Sequence, residues 1–99
     1  YASAERTARA AVADRAEDPA LHHLLAMTLS RQTREPEALA YYRRASDLGA
    51  GDASYRFDLL VSLCSLDRGP ELKTGLDRAV RDFPDDARFP ALAERCGTD

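Results

Sequence analysis

The residues best equipped for chemistry in this chain are a histidine pair, two cysteines, a small group of arginines and two adjacent tyrosines. His22-His23 has the composition of a metal site, but neighbours on a helix point about 100° apart, whereas helical chelation uses i, i+4 spacing. The pair therefore predicts one histidine packed between helices and the other on an exposed wall, with no metal. Cys64 and Cys96 stand in no CxxC arrangement. Helix axes about 8–10 Å apart, set against a disulfide's Cα limit near 7 Å, predict two free thiols. Free thiols in turn favour a reducing compartment, hence a cytoplasmic location. There is no Gly-rich phosphate loop, no Ser or Cys nucleophile beside a base, and no carboxylate pair in an apolar setting. The expectation is a protein that is not an enzyme, with no catalytic residues, no cofactor and no metal.

Arg31, Arg34, Arg43 and Arg44 are the one local concentration of basic residues. Arg43 and Arg44 belong to a helix whose other side is committed to a core, so a solvated face is expected there. Tyr41 and Tyr42 cannot both point inward. Tyr42 has the core spacing, which leaves Tyr41 half exposed, where an aromatic can anchor an interface.

The net charge is −3 and 44% of the 99 residues are apolar, the balance of one small globular unit. An acidic chain lacks the basic face that displaces counterions from phosphate, so no nucleic-acid partner is expected. No apolar run approaches the roughly 18 residues of a membrane span, and no basic-then-apolar leader opens the chain. It starts at Tyr1 without a methionine, which predicts a processed chain or a piece of something longer.

The elements that position these residues repeat. Laying Asp18 to Gly51 over Asp52 to Asp85 pairs Leu21 with Tyr55, Leu25 with Leu59, Leu29 with Leu63, Tyr42 with Leu76 and Ala45 with Ala79. A period of about 34 residues with two helical patterns per unit is the signature of a helix-turn-helix solenoid. Helical spacing predicts a first helix over residues 4–16, capped by Ser3, with an inward stripe of Ala4, Ala8, Ala11 and Val12. It matches the second half of a unit, so residues 1–17 are read as the end of a truncated repeat. Asp18-Pro19 and Asp52 open the first helices of two units, residues 18–51 and 52–85. Glu35-Pro36-Glu37 and the turn Asp67-Arg68-Gly69-Pro70 open the second helices. Leu72, Leu76, Ala79, Val80 and Phe83 keep helical spacing along the last of these. Asp86 repeats the cap, and residues 86–99, with Phe89, Leu92, Ala93 and Cys96 on one side and Gly97 as stop, read as a capping helix.

The first unit reads His22-x2-Leu25-Ala26-x2-Leu29, then Ala38-x3-Tyr42, and the second Arg56-x2-Leu59-Leu60-x2-Leu63, then Leu72-x3-Leu76, then Pro84. With the recurring Ala45 and Ala79, this resembles the tetratricopeptide (TPR) signature. The departures are His22 and Arg56 in place of an aromatic, and Leu60 in place of a small residue, which predicts looser helix pairing. The resemblance implies an all-α fold: a right-handed α-solenoid of antiparallel helix pairs, about six helices in one domain. It also implies that the first helix of each pair lines a concave groove that binds a peptide or a partner's helix.

On that reading the groove is formed by His23, Met27 and Arg31 from one unit, Phe57, Val61 and Cys64 from the next, and Arg88 and Arg95 from the capping helix. Met27, Phe57 and Val61 would make an apolar floor and the arginines a rim, suiting an apolar helix or peptide with acidic flanks. The alternative is an oligomerisation or spacer segment of a larger regulator, self-associating through exposed repeat ends.

Overall fold

The computed structural model describes residues 2–97. Among them are six helices and no strand: α1 (Ala2–Asp14), α2 (Pro19–Arg31), α3 (Glu35–Leu48), α4 (Ala53–Ser65), α5 (Gly69–Asp82) and α6 (Arg88–Cys96). Each helix packs on the next in sequence, the pattern of a TPR-like helical fold, and α6 also returns to α4. Both α4 and α5 begin and end one period after α2 and α3.

The same local devices recur at the same places. Asp18 accepts a hydrogen bond from the Ala20 backbone N–H at 3.0 Å, and Asp52 one from Ser54 at 2.8 Å. Asp86 does the same for Arg88 at 3.0 Å, although Ala87 stands between it and the helix. These bonds satisfy helix N–H groups that have no carbonyl partner of their own. The turns inside the two pairs also match. Thr33 and Asp67 adopt left-handed backbone, φ 59° and 57°. The next residues, Arg34 and Arg68, each donate 3.0 Å bonds back to Leu29 O and Leu63 O, so both first helices end in Schellman closures without a glycine.

Burial follows the predicted stripes with local corrections. Leu25, Leu29, Ala38, Tyr42, Leu60, Leu63, Leu72 and Leu76 are buried, and Ala45 and Ala79 have no exposed surface. The first helix begins earlier than predicted, with Ser3 inside it rather than capping it, and ends at Asp14. Ala8 alone is buried there; Ala11 and Val12 are half-buried and Ala4 is exposed. Val80, assigned inward by spacing, is 42% exposed. It lies next to Ala79, and a helix as narrowly amphipathic as α5 turns only the 72, 76, 79 line to the core.

The two cysteines correct a firmer expectation. Cys64 and Cys96 form a disulfide, with Cα atoms 6.1 Å apart, joining α4 to α6. Axis separation does not set the distance between facing residues: each Cα stands about 2.3 Å off its axis, so facing Cα atoms on packed helices can approach well inside the roughly 7 Å limit. The inference from free thiols to a reducing compartment loses its ground with them.

Candidate functional site

The face predicted from the sequence is carried by the first helices and the last one: His23, Met27 and Arg31 on α2, Phe57, Val61 and Cys64 on α4, Arg88 and Arg95 on α6. Histidine Nε2 of His23 lies 2.6 Å from Asp58 Oδ2, tying α2 to α4 across the period. Its ring sits between Tyr42 and Tyr55, with centroids 5.8 and 5.2 Å away. Its neighbour His22 is buried, and its Nε2 donates to Ala16 O at 2.7 Å. The two rings thus serve different helices, as their spacing requires.

A second polar tie lies nearby. Glu35, at the start of α3, accepts hydrogen bonds from Ser30 Oγ at 2.7 Å and Ser62 Oγ at 2.9 Å, so one carboxylate joins α2 to α4. Burial, reinforced by the Glu35 and Asp58 carboxylates, raises the Tyr42 hydroxyl above its ordinary pKa, which keeps it neutral.

Phe57 is half-buried, meets the ring of Phe89 edge-on at 6.1 Å and is covered by the Arg88 guanidinium 5.1 Å from its centroid. Phe89 in turn stacks on Phe83 at 5.9 Å. Phe57 therefore docks α6 as well as presenting an edge. Arg88 is bound to Asp86 through Nη2 at 2.7 Å and reaches Ser54 Oγ at 3.4 Å. That pairing holds the Asp86 carboxyl below the usual range and raises Arg88. Val61 and Cys64 are half-buried against the same core, and Met27 against the core of the first pair. Arg31 and Arg95 are exposed.

The eight residues thus fall into three linked groups rather than one continuous lining. His23 is joined to α4 through Asp58, Phe57 to Arg88, and Cys64 covalently to α6; Arg31 and Arg95 stand at the margins. From the sequence, Asp58 was only an acid tempering the arginine rim; its tie to His23, the tie made by Glu35 and the exposure of Leu24 were missed. Asp58 was detectable as the acid that meets Leu24 when the units are overlaid. Leu24, 46% exposed, is three and seven residues from Met27 and Arg31, so all three share a helix face.

Among the described residues no group of three or more His, Cys, Asp or Glu side chains is arranged to hold a metal ion. No described helix is long and apolar enough to cross a membrane. What the face offers is partly exposed apolar surface, two marginal cations, and polar groups already matched to each other.

No protein-family model matches the sequence, and no curated protein matches it. The fold is similar to a solved structure of the Yersinia enterocolitica type III secretion chaperone SycD in complex with a peptide of the translocator YopD. The TM-score is 0.77 at 16% sequence identity, and the match covers 99% of this chain and 75% of that one. At that identity the likeness is one of fold: an all-helical, TPR-like arrangement of six helices packed in succession.

Proposed function

We propose that this chain is a TPR-type interaction module that binds a segment of another protein on the face formed by α2, α4 and α6. The observation that carries the reading is the partly exposed apolar line of Leu24, Met27, Val61 and Phe57 on successive first helices, bordered by Arg31 and Arg95. The SycD structure, similar in fold, contains a bound peptide, which supports a binding role for such a scaffold. The ligand is an amphipathic helix or apolar peptide with acidic flanks. Methionine adapts to irregular apolar shapes, and the arginines contribute orientation and encounter rate more than affinity. Binding rather than catalysis is the activity proposed.

The rival reading, self-association at the repeat ends, has less to stand on. The exposed large apolar side chains among the described residues are Leu24 and Val80, neither of them on α1. The test is a fluorescently labelled amphipathic peptide with glutamates at both ends, titrated against the protein and against Phe57→Ala. Binding in the micromolar range, weakened about tenfold by the substitution while the melting curve stays cooperative, is the expected result. Equal binding by a folded Phe57→Ala protein would remove Phe57 from the site.

A further inference from the structure

Between α3 and α5, over α4, the structure has an opening of about 540 Å³ that shares no residue with the face described above. Its floor is Leu59, Leu60 and Leu63, and its walls include Arg43, Arg56 and Gly75. One period earlier the same position, between α1 and α3 over α2, is filled. There Tyr41 stands where Gly75 stands in the second unit. The Tyr41 hydroxyl accepts a hydrogen bond from Arg9 Nη1 at 3.1 Å, the Arg9 guanidinium lies 5.8 Å from the ring centroid, and His22 stacks on the ring at 6.2 Å and 23°.

The equivalents of those partners are retained in the second unit. Arg43 corresponds to Arg9, and it pairs with Glu71 as Arg9 pairs with Glu37. Arg56 corresponds to His22 and brings another flat, stacking group. It is held at the wall by Asp82 at 2.9 Å and by the Phe83 ring, 5.3 Å from its guanidinium carbon. What is missing is the ring itself. Leu60, in place of Ala26, leans into part of the space: its Cδ2 lies 2.6 Å from where a Cβ on Gly75 would be. A leucine restores only part of the volume that the missing tyrosine takes away, so this exchange contributes to the opening without accounting for all of it.

We infer that this opening is a second binding site, and that it takes the side chain of a tyrosine presented by another protein. The ring enters between Arg43 and Arg56 above the leucine floor, and its hydroxyl accepts from Arg43, as the chain's own Tyr41 accepts from Arg9. Guanidinium groups over an aromatic face favour such a ring over an aliphatic side chain of similar size. Arg78 and Asp47, both exposed, also line the opening and offer polar groups to the backbone of the inserted residue.

The probe is N-acetyl-tyrosinamide, followed by amide chemical shifts of the isotope-labelled protein, with N-acetyl-leucinamide as the aliphatic control. The expected result is saturable shifts at Thr74, Gly75 and Arg43 with a millimolar dissociation constant, and at least about threefold weaker binding of the leucine compound. The double substitution Leu60→Ala with Gly75→Tyr rebuilds the first unit's pair and should abolish those shifts. Arg43→Met keeps the stem at a surface position and should erase the preference for tyrosine over leucine. Absence of saturable shifts at these amides in the parent protein overturns the proposal, as does a preference for tyrosine that survives Arg43→Met. Undiminished binding by a folded double variant overturns it too.

Discussion

Single residues decide how closely the helices of this protein approach. Ala45 and Ala79 have no exposed surface, and each sits at the same point of its unit, where a larger side chain has nowhere to go. Replacing Ala79 with leucine forces three carbons into a filled crossing, and should lower stability by about 1–3 kcal/mol in chemical denaturation. An unchanged denaturation midpoint would mean that α5 does not cross α4 at that residue. Such alanines were visible from the sequence because they recur with the period. The exchange of Ala26 and Tyr41 for Leu60 and Gly75 was not. The sequence marked Leu60 as oversized but gave no sign of which neighbour yields, since that depends on residues on different helices meeting in space. The glycine at 75 yields: Leu60 Cδ2 lies 2.6 Å from where a Cβ on it would stand.

At the scale of elements, α1 is tied to its neighbours by charge as well as by the burial of Ala8. Glu5 accepts hydrogen bonds from Arg9 Nε at 2.8 Å, Arg34 Nη1 at 2.6 Å and Gln32 Nε2 at 3.2 Å, which joins α1 to the turn between α2 and α3. Chiefly through Arg9, then Arg34, its carboxyl is brought from an ordinary 4.5 down to about 2. A carboxyl whose folded pKa is depressed binds its proton more readily in the unfolded chain. Its contribution is therefore complete above pH 4.5 and is lost as the pH falls from there toward 2. Glu5→Gln should flatten the fall of melting temperature across that window relative to the parent, even though Glu37 and Asp86 titrate in the same direction. Superimposable profiles for the two proteins would show that Glu5 does not secure α1. Helix order and limits were legible from caps, prolines and spacing. The exceptions were α1, whose alanine-rich stripe gives a weak phase, and the covalent tie of α6, which depends on how two helices face each other. That tie closes a loop of roughly thirty residues, worth about 3–4 kcal/mol when oxidised. Covalent closure lets a helix as short as α6 stay docked around Phe89.

Over the whole molecule, the period organises both what is buried and what is offered. The same offset that aligns the caps aligns His23 with Phe57 and Met27 with Val61, so the proposed binding face repeats along with the core. Its residue types were legible, but their engagement was not. His23, Phe57, Cys64 and Arg88 are all tied to neighbouring helices, so the accessible part is Leu24, Met27, Val61 and the free edge of Phe57, with Arg31, Arg88 and Arg95 around them. The most direct measurement of the central claim is amide chemical-shift mapping with the acidic-flanked amphipathic peptide bound. The account predicts that the largest shifts fall on α2, α4 and α6 around Leu24, Met27, Val61 and Arg95, while α1 and the outer surface of α5 stay unchanged. Shifts centred on α1 or α5, or no saturable shifts at millimolar peptide, would contradict it.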